Sequence, residues 1–252
     1  MVELGLTPDE DRQSEEEFEA DQKSSLISTG NKEIDTKMGG GIPRGSLTLI
    51  EGQSGAGKSV TAQQIIWGSL KNELKAAIYT TENTYKSLIT QMESLNLSII
   101  DRVLLGQFLI FPAKTMRSGL RPDEVFDILL EDIVKHTDVD LVVVDSITSL
   151  MLHTDITQAI TFFEDCKQLC DQGKTIINVV HSYAFDDSSL IRIRSMCDAH
   201  LKLRVEEIGD RFINVLEVGK IRGAHRTVDN IISFSIEAGI GMHIIPISRT
   251  RA

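Results

Sequence analysis

The fold is decided by the stretch LTLIEGQSGAGKS, residues 47–59. Residues 47–50 form a short, mostly apolar run typical of a strand, and residues 60–70 have the apolar spacing of a helix. Between them lies the pattern G-x-x-x-x-G-K-S. Its glycines let backbone N–H groups wrap round phosphate oxygens, and the following helix points its positive end at the same anion. The sequence therefore predicts a phosphate-binding loop made of Gly52, Gln53, Ser54, Gly55, Ala56, Gly57, Lys58 and Ser59.

Two side chains of this loop and one strand-end carboxylate predict a site for ATP with Mg²⁺. Lys58 is placed to reach the β- and γ-phosphates, and the Ser59 hydroxyl is a hard oxygen ligand of the kind that Mg²⁺ prefers. Asp145 directly follows residues 141–144, a wholly apolar run typical of a strand buried on both faces of a parallel sheet. An acid at the tip of such a strand can hold Mg²⁺ through water. The alternative is an ordinary aspartate that caps the next turn.

The rest of the chain alternates short apolar runs with longer helical patterns. This rhythm predicts an α/β fold whose central sheet is mostly parallel and carries helices on both faces. After Cys197 only strands follow, which predicts an antiparallel extension of the sheet. Strands are expected at 47–50, 76–80, 108–111, 141–144, 175–180, 199–205, 211–218, 231–236 and 242–245, and helices at 60–70, 84–95, 122–136 and 155–171.

Charge is distributed unevenly along the chain. The net charge is −11, and residues 1–21 carry nine acidic residues and one arginine, which leaves −3 for the remainder. We therefore expect residues 1–23 to be a disordered tail, either a solvated leader or a docking segment, and residues 24–252 to form one domain. An acidic chain is a poor non-specific binder of nucleic acid. Three cysteines and no long apolar run favour a cytoplasmic protein without disulfides or a membrane span.

Two further polar residues are candidates because they follow predicted parallel strands. Ligands in open α/β sheets lie outside the carboxyl ends of the strands. Glu82 could orient or activate an attacking water, or it could only stabilise the amino end of the next helix. His181 could sense a γ-phosphate, or it could be a hydrogen-bonded structural residue.

Several segments together carry a resemblance to a known family. The entry to the loop and the strand before Asp145 are similar to those of the RecA/KaiC superfamily. The C-terminal half is more selective and resembles the FlaH (ArlH) family of archaeal flagellar accessory proteins. The matching segments are 34–35, 38–45, 142–146, 201–204, 215–224, 231–234 and 239–248.

This resemblance implies a RecA/KaiC-like ATP-binding domain that acts in the cytoplasmic part of the archaellum motor, at the inner face of the membrane. The implied partners are the motor ATPase FlaI, the membrane platform protein FlaJ and ring or scaffold components, and hexameric rings are expected by analogy with KaiC. Lys220 and Arg222 match a Lys-x-Arg pair that reaches into the nucleotide of a neighbouring subunit, although two surface cations are the alternative. Asn83 stands where active KaiC-like domains have a second glutamate, which predicts at most a weak ATPase.

Three functions follow as hypotheses. The first is an ATP-dependent regulatory or scaffold subunit of the archaellum, in which ATP selects a conformation. The second is a RecA-type recombination or repair ATPase, which would need basic loops after the sensor strand; the segment after His181 is instead mixed in charge. The third is a KaiC-like autokinase, since serine and threonine residues are plentiful.

Overall fold

The computed structural model describes residues 25–112, 124–151, 156–209, 211–224, 228 and 231–246. The predicted tail, residues 1–23, lies outside the described residues. The strands are β1 (Leu26–Ile27), β2 (Ile42–Pro43), β3 (Leu47–Gly52), β4 (Ala76–Thr80), β5 (Phe108–Pro112), β6 (Leu141–Asp145), β7 (Thr175–His181), β8 (Ala199–Ile208), β9 (Arg211–Ile221), β10 (Ile231–Glu237) and β11 (Gly241–Ile244). The helices are α1 (Lys32–Lys37), α2 (Lys58–Lys71), α3 (Tyr85–Ser94), α4 (Ile100–Leu104), α5 (Val125–Lys135), α6 (Thr148–Met151), α7 (Ile156–Asp171) and α8 (Asp187–Met196).

Nine strands form one sheet in the order β11-β10-β9-β8-β3-β7-β6-β4-β5. The six strands from β8 to β5 pair in parallel, whereas β9, β10 and β11 add on as antiparallel strands. A separate ribbon pairs β1 with β2. This order brings the carboxyl ends of β3, β7, β6 and β4 side by side, so residues that follow these strands meet at one edge of the sheet.

Both faces of the sheet are covered by helices, which explains why the central strands are almost fully buried and mostly apolar. Alternate residues of one strand point to opposite faces. Val143 of β6 therefore packs with α2 and α3, while its neighbour Val142 packs with α5, α7 and α8. The fold is the predicted α/β class with a mostly parallel sheet and an antiparallel C-terminal extension.

The predicted strands are all present, with shifts at their ends. Pro112 was expected to lie beyond its strand, but it is the last residue of β5. β5 is the outermost strand and, among the described strands, pairs only with β4. A residue without an N–H group is tolerated in such a strand. The sequence pattern did not predict β1, β2, α1, α4, α6 or α8. None of the helices in the described part of the chain is long and apolar enough to cross a membrane.

Candidate nucleotide-binding site

The phosphate loop connects β3 to α2 as the sequence pattern predicts. Gly57 precedes the first residue of α2 and has φ of +89°, a left-handed conformation that favours glycine. A Cβ atom at Gly57 would lie 3.0 Å from Ile236 and 3.3 Å from Phe234, both on β10. The antiparallel extension therefore packs against the loop and requires glycine at this position. Asn214 of β9 adds a hydrogen bond from its Nδ2 to the Gly55 carbonyl oxygen, at 3.3 Å.

Lys58 lies at the start of α2 with its ammonium group turned back into the loop. Its Nζ donates a hydrogen bond to the Gln53 carbonyl oxygen at 2.8 Å and lies 3.3 Å from Nδ1 of His181. Burial lowers the pKa of Lys58, while the negative charges of Glu82 and Asp145 act in the opposite direction. The side chain is thus a cation enclosed by the loop and by the ends of neighbouring strands.

Ser59 and Asp145 are brought together by the packing of α2 against β6. The Ser59 hydroxyl donates a hydrogen bond to Oδ1 of Asp145 at 3.2 Å. The other carboxylate oxygen, Oδ2, is buried and has no hydrogen-bond partner among the described residues. Burial, followed by the nearby negative charge of Glu82, raises the pKa of Asp145 to about 6.

An unpartnered buried carboxylate oxygen beside a serine hydroxyl suits a hard divalent cation. Mg²⁺ prefers oxygen ligands and keeps several of its waters, so one hydroxyl and one carboxylate are an adequate protein contribution. Such a cation would satisfy Oδ2 and offset the cost of burying the charge. The residues present therefore fit Mg²⁺. No cluster of three or more histidine, cysteine, aspartate or glutamate side chains suited to a metal occurs among the described residues.

Glu82 and His181 form a second contact at the same edge of the sheet. His181 ends β7, and its Nε2 lies 3.4 Å from Oε1 of Glu82, which follows β4 by two residues. The His181 side chain is 13% exposed and that of Glu82 is 43% exposed. His181 thus lies between Lys58 and Glu82. The roles of His181 as a sensor and of Glu82 as a base stay predictions.

Lys220 and Arg222 lie beside the amino ends of the parallel strands, whereas the phosphate loop of the same chain lies at their carboxyl ends. Lys220 of β9 pairs with His200 of β8, which pairs with Leu49 near the start of β3. The loop begins three residues further along β3, a distance of about 10 Å. Arg222 lies beyond Lys220, where its backbone N–H donates to the Asp198 carbonyl oxygen at 3.0 Å. The pair thus contacts Ser195 and Asp198, whereas Lys58 and Ser59 form the site at the other ends of the strands.

Two hydroxyl groups at this edge support the candidate residues and had little or no signal in the sequence. The Thr81 hydroxyl accepts a hydrogen bond from the Ser146 N–H at 3.2 Å and lies 3.1 Å from the Ser146 carbonyl oxygen, to which it donates. The Thr148 hydroxyl accepts the backbone N–H of His181 at 2.8 Å. Both tie the strand ends of β4, β6 and β7 together. Their position after predicted strands was the only available hint.

Comparison with known proteins identifies the family of the chain. The sequence model of the family described as "ATPase: KaiC" matches residues 27–249. The archaeal flagellar ATP-binding protein FlaH of Sulfolobus acidocaldarius is 31% identical over 230 residues, which cover 90% of this chain and 100% of that protein. The chain belongs to the FlaH family of KaiC-type ATPases. The resemblance noted from the sequence is therefore confirmed.

Solved structures support the same assignment. The crystal structure of the flagellar accessory protein FlaH from Methanocaldococcus jannaschii matches with a TM-score of 0.74 at 26% identity, covering 88% of this chain and 99% of that one. A KaiC-like protein from Pyrococcus horikoshii matches with a TM-score of 0.72 at 20% identity and the same coverage, which shows a shared fold. This FlaH-family chain thus has the KaiC-like RecA fold that its sequence predicts.

Proposed function

We propose that this chain is an ATP-binding regulatory or scaffold subunit of the archaellum motor and assembly complex. In this proposal Mg-ATP acts as a conformational switch for oligomerisation and partner binding, and it is hydrolysed slowly or not at all. The observation that carries the proposal is the geometry of the site: Lys58 and Ser59 begin α2, and Ser59 contacts Asp145, whose second carboxylate oxygen is buried with no hydrogen-bond partner among the described residues. The names of the FlaH relatives supply the archaellum context.

The proposed ligand is ATP bound by residues 52–59 with Mg²⁺ held by Ser59 and Asp145. Backbone N–H groups of the loop and the amino end of α2 would bind the phosphates, and Lys58 would neutralise part of their charge. Mg²⁺ would supply further charge neutralisation when bound. Lys58 would exchange its hydrogen bond with Gln53 for a phosphate oxygen, which gives the loop two arrangements that depend on the nucleotide.

Slow turnover is supported by the surroundings of Glu82 and Asn83. Nearly half of the Glu82 side chain is exposed and its carboxylate faces His181, so the carboxylate is open to solvent instead of enclosed at the site. Asn83 cannot act as a base, and its Oδ1 accepts a hydrogen bond from the Ser87 hydroxyl at 3.1 Å in the first turn of α3. We propose Glu82 as the candidate base of a weak reaction and His181 as the group that senses the nucleotide.

Lys220 and Arg222 are proposed to act on the nucleotide of a neighbouring copy. They lie about 10 Å or more from their own loop along the sheet, so a contribution in cis is disfavoured. Arg222 is 61% exposed at its side chain, and within the described part of the chain it forms a 3.7 Å ion pair with Asp198. An exposed guanidinium is suited to reach a phosphate supplied by another subunit. A ring, with a hexamer as the expected size, would place such a pair at every boundary.

The proposed partners are the motor ATPase FlaI, the membrane platform protein FlaJ and cytoplasmic ring or scaffold components. The proposed location is the cytoplasm, at the inner face of the membrane through these partners. Nucleotide-dependent affinity for FlaI is expected, since a switch must bind its partner differently in its two states.

The proposal is tested by measuring the mass of the full chain with and without Mg-ATP, together with its turnover. We expect a larger species only with Mg-ATP, no such species for Lys58→Ala, and turnover well below about one per second, at or below the low end of typical enzymes. Turnover of about ten per second or more, together with a mass and a FlaI affinity that ignore nucleotide, would contradict the proposal.

A recombination ATPase is disfavoured by the ion pairs of the segment after His181. Arg192 and Arg194, the two arginines of α8, pair with Glu164 and Glu51. Cations that are already neutralised contribute little to phosphate binding. A fluorescence titration with single-stranded DNA at low salt tests this alternative, because micromolar binding would favour the recombination function.

The other alternative, a KaiC-like autokinase, is tested by incubating the protein with labelled ATP and searching for phosphoprotein.

A further inference from the structure

A buried ion pair adjoins the phosphate loop and has no part in the function proposed above. Glu51 is the residue directly before Gly52, and its side chain is fully buried. Arg194 of α8 donates from Nε and Nη2 to the two carboxylate oxygens of Glu51, at 2.9 Å and 2.6 Å. Nε2 of His200 lies 3.4 Å from Oε1 of the same carboxylate. The strand that ends in the loop is thereby attached to α8 by a bidentate contact.

The surroundings hold this carboxylate charged and in one position. Burial alone would raise the pKa of Glu51, but the hydrogen bonds and charges of His200 and Arg194 outweigh it, and the pKa is lowered. The imidazole of His200 packs against Gly219, where an added Cβ atom would lie 2.5 Å from its Nδ1. Glycine on β9 therefore leaves the space that the imidazole occupies.

A buried ion pair contributes little net stability compared with apolar packing, but breaking it leaves an uncompensated charge. The pair therefore favours one fixed geometry of β3 and α8 over alternatives. Arg is suited to this role since its planar fork matches both oxygens of a carboxylate. Any displacement of β3 near the loop is expected to move α8 with it.

Helix α8 runs from the carboxyl ends of the parallel strands, where the phosphate loop lies, to their amino ends, where Lys220 and Arg222 lie. It follows His181 after the short turn Ser182–Ala184, and Asp186 caps its amino end by accepting the Ser189 N–H at 2.9 Å. At its other end, the Ser195 carbonyl oxygen lies 3.5 Å from Nζ of Lys220. Two residues beyond the helix, the carbonyl oxygen of Asp198 accepts the backbone N–H of Arg222 at 3.0 Å.

We propose that Glu51 and Arg194 are positioning residues that couple the phosphate loop, through α8, to Lys220 and Arg222 at the far edge. Occupancy of one nucleotide site would then change how the chain presents its two cations to the next copy. The inference rests on the proposed function, because it takes Lys220 and Arg222 to act in trans. It adds a physical route by which neighbouring sites are coupled.

Hydrogen exchange of the full chain, with and without Mg²⁺ and a non-hydrolysable ATP analogue, tests the coupling. Three peptides are compared: residues 52–64 for the loop, 187–198 for α8 and 215–224 for the far edge. The test variant is Glu51→Gln with Arg194→Met, which removes both charges and leaves no buried ion unpaired. Arg194→Lys is the milder variant, since it keeps a cation and loses the fork. Arg192→Met is the matched control, because Arg192 belongs to the same helix and forms only an exposed ion pair.

In the wild-type chain we expect the nucleotide to slow exchange in all three peptides. In the double variant the loop peptide keeps its protection, while nucleotide-induced protection of the other two peptides falls about fivefold or more, the lower end of typical coupling between sites. Arg194→Lys gives a partial loss and Arg192→Met none. The decisive quantity is the nucleotide-induced protection of residues 187–198 and 215–224 divided by that of the loop peptide in the same sample. This ratio is insensitive to overall stability, so a merely structural role of the pair would leave it unchanged.

Two results would overturn the inference. One is a double variant that transmits protection to residues 187–198 and 215–224 as fully as the wild type does. The other is a wild-type chain in which the nucleotide protects the loop alone. Failure of the proposed function looks different, since the loop peptide itself would then gain no protection in the wild-type chain.

Discussion

Replacing Asp145 by Asn is expected to stabilise the nucleotide-free protein while weakening its metal site. The carboxyl group of Asp145 is almost fully buried, and burial together with the charge of Glu82 raises its pKa from the ordinary 3.8 to about 6. A raised carboxyl pKa means that the folded state binds the proton more tightly than the unfolded chain does. Stability is therefore lost as the pH rises from about 4 to about 6, and the full loss remains above that range.

The magnitude follows from the size of this rise. Each pKa unit corresponds to about 1.4 kcal/mol, so at pH 8 the ionised Asp145 destabilises the folded state by about 3 kcal/mol, and at pH 5 by about half of that. Asn resembles the protonated carboxyl group and keeps an oxygen that can accept from Ser59. Asp145→Asn should thus raise the free energy of unfolding by up to about 3 kcal/mol at pH 8 and by clearly less at pH 5.

Urea denaturation of the nucleotide-free, metal-free protein at pH 8 and pH 5 measures this difference. Asp101→Asn serves as the control, since it removes one exposed carboxylate from the surface and should change stability by less than about 0.5 kcal/mol. A lower free energy of unfolding for Asp145→Asn at pH 8, or an equal change at both pH values, would refute the electrostatic reasoning.

Further predictions concern binding. Lys58→Ala should weaken Mg-ATP binding by about 100-fold or more, since one charge-assisted contact to phosphate is worth about 3 kcal/mol. Calorimetry measures the affinity, and a thermal melt is the control that the variant is folded. The Mg²⁺-dependent part of ATP affinity should fall below about pH 6, where protons compete for Asp145, so the gain in affinity from Mg²⁺ should be about tenfold smaller at pH 5 than at pH 8. Glu82→Gln should lower steady-state turnover at least tenfold if Glu82 is the base. Unchanged turnover would mean that Glu82 only stabilises the amino end of the next helix. Arg222→Ala should leave the affinity of the isolated chain for Mg-ATP within about twofold while abolishing the larger species in sedimentation.

The parts of the site that lie close together in the sequence were predictable. The loop, the helix after it and the apolar strand before Asp145 each have a local pattern with a physical cause, and parallel strands bring their carboxyl ends to one edge. Because parallel strands bring their carboxyl ends together, Glu82, His181 and Lys58 were expected to lie near one another. The contacts of His181 with Lys58 at 3.3 Å and with Glu82 at 3.4 Å could not be predicted.

Helix α8 and its contacts were not predictable in the same way. Its sequence, DSSLIRIRSM, buries only Leu190 and Ile193, so its apolar pattern is too weak to separate it from a loop. Glu51 and Arg194 are 143 residues apart, and no local spacing reports such a pair. A glutamate inside an apolar strand was the one sequence feature that could have signalled a buried partner.

The position of Lys220 and Arg222 also required the structure. The spacing of the pair suggested a role at the nucleotide, but only the strand register places it at the edge opposite the loop of its own chain. The antiparallel return of β9 along β8 causes this placement. Any role of the pair at a nucleotide would therefore need a second copy of the chain, as proposed above.

Sedimentation of mixed variants tests this requirement most directly. Lys58→Ala removes the loop lysine and keeps the two cations, whereas Arg222→Ala keeps the loop and removes one cation. With Mg-ATP, each variant alone should remain small, and an equimolar mixture should form pairs in which the loop of the Arg222→Ala chain meets Arg222 of the Lys58→Ala chain. Assembly of the Arg222→Ala variant alone, or a mixture that remains as small as its components, would contradict a nucleotide switch at the subunit boundary.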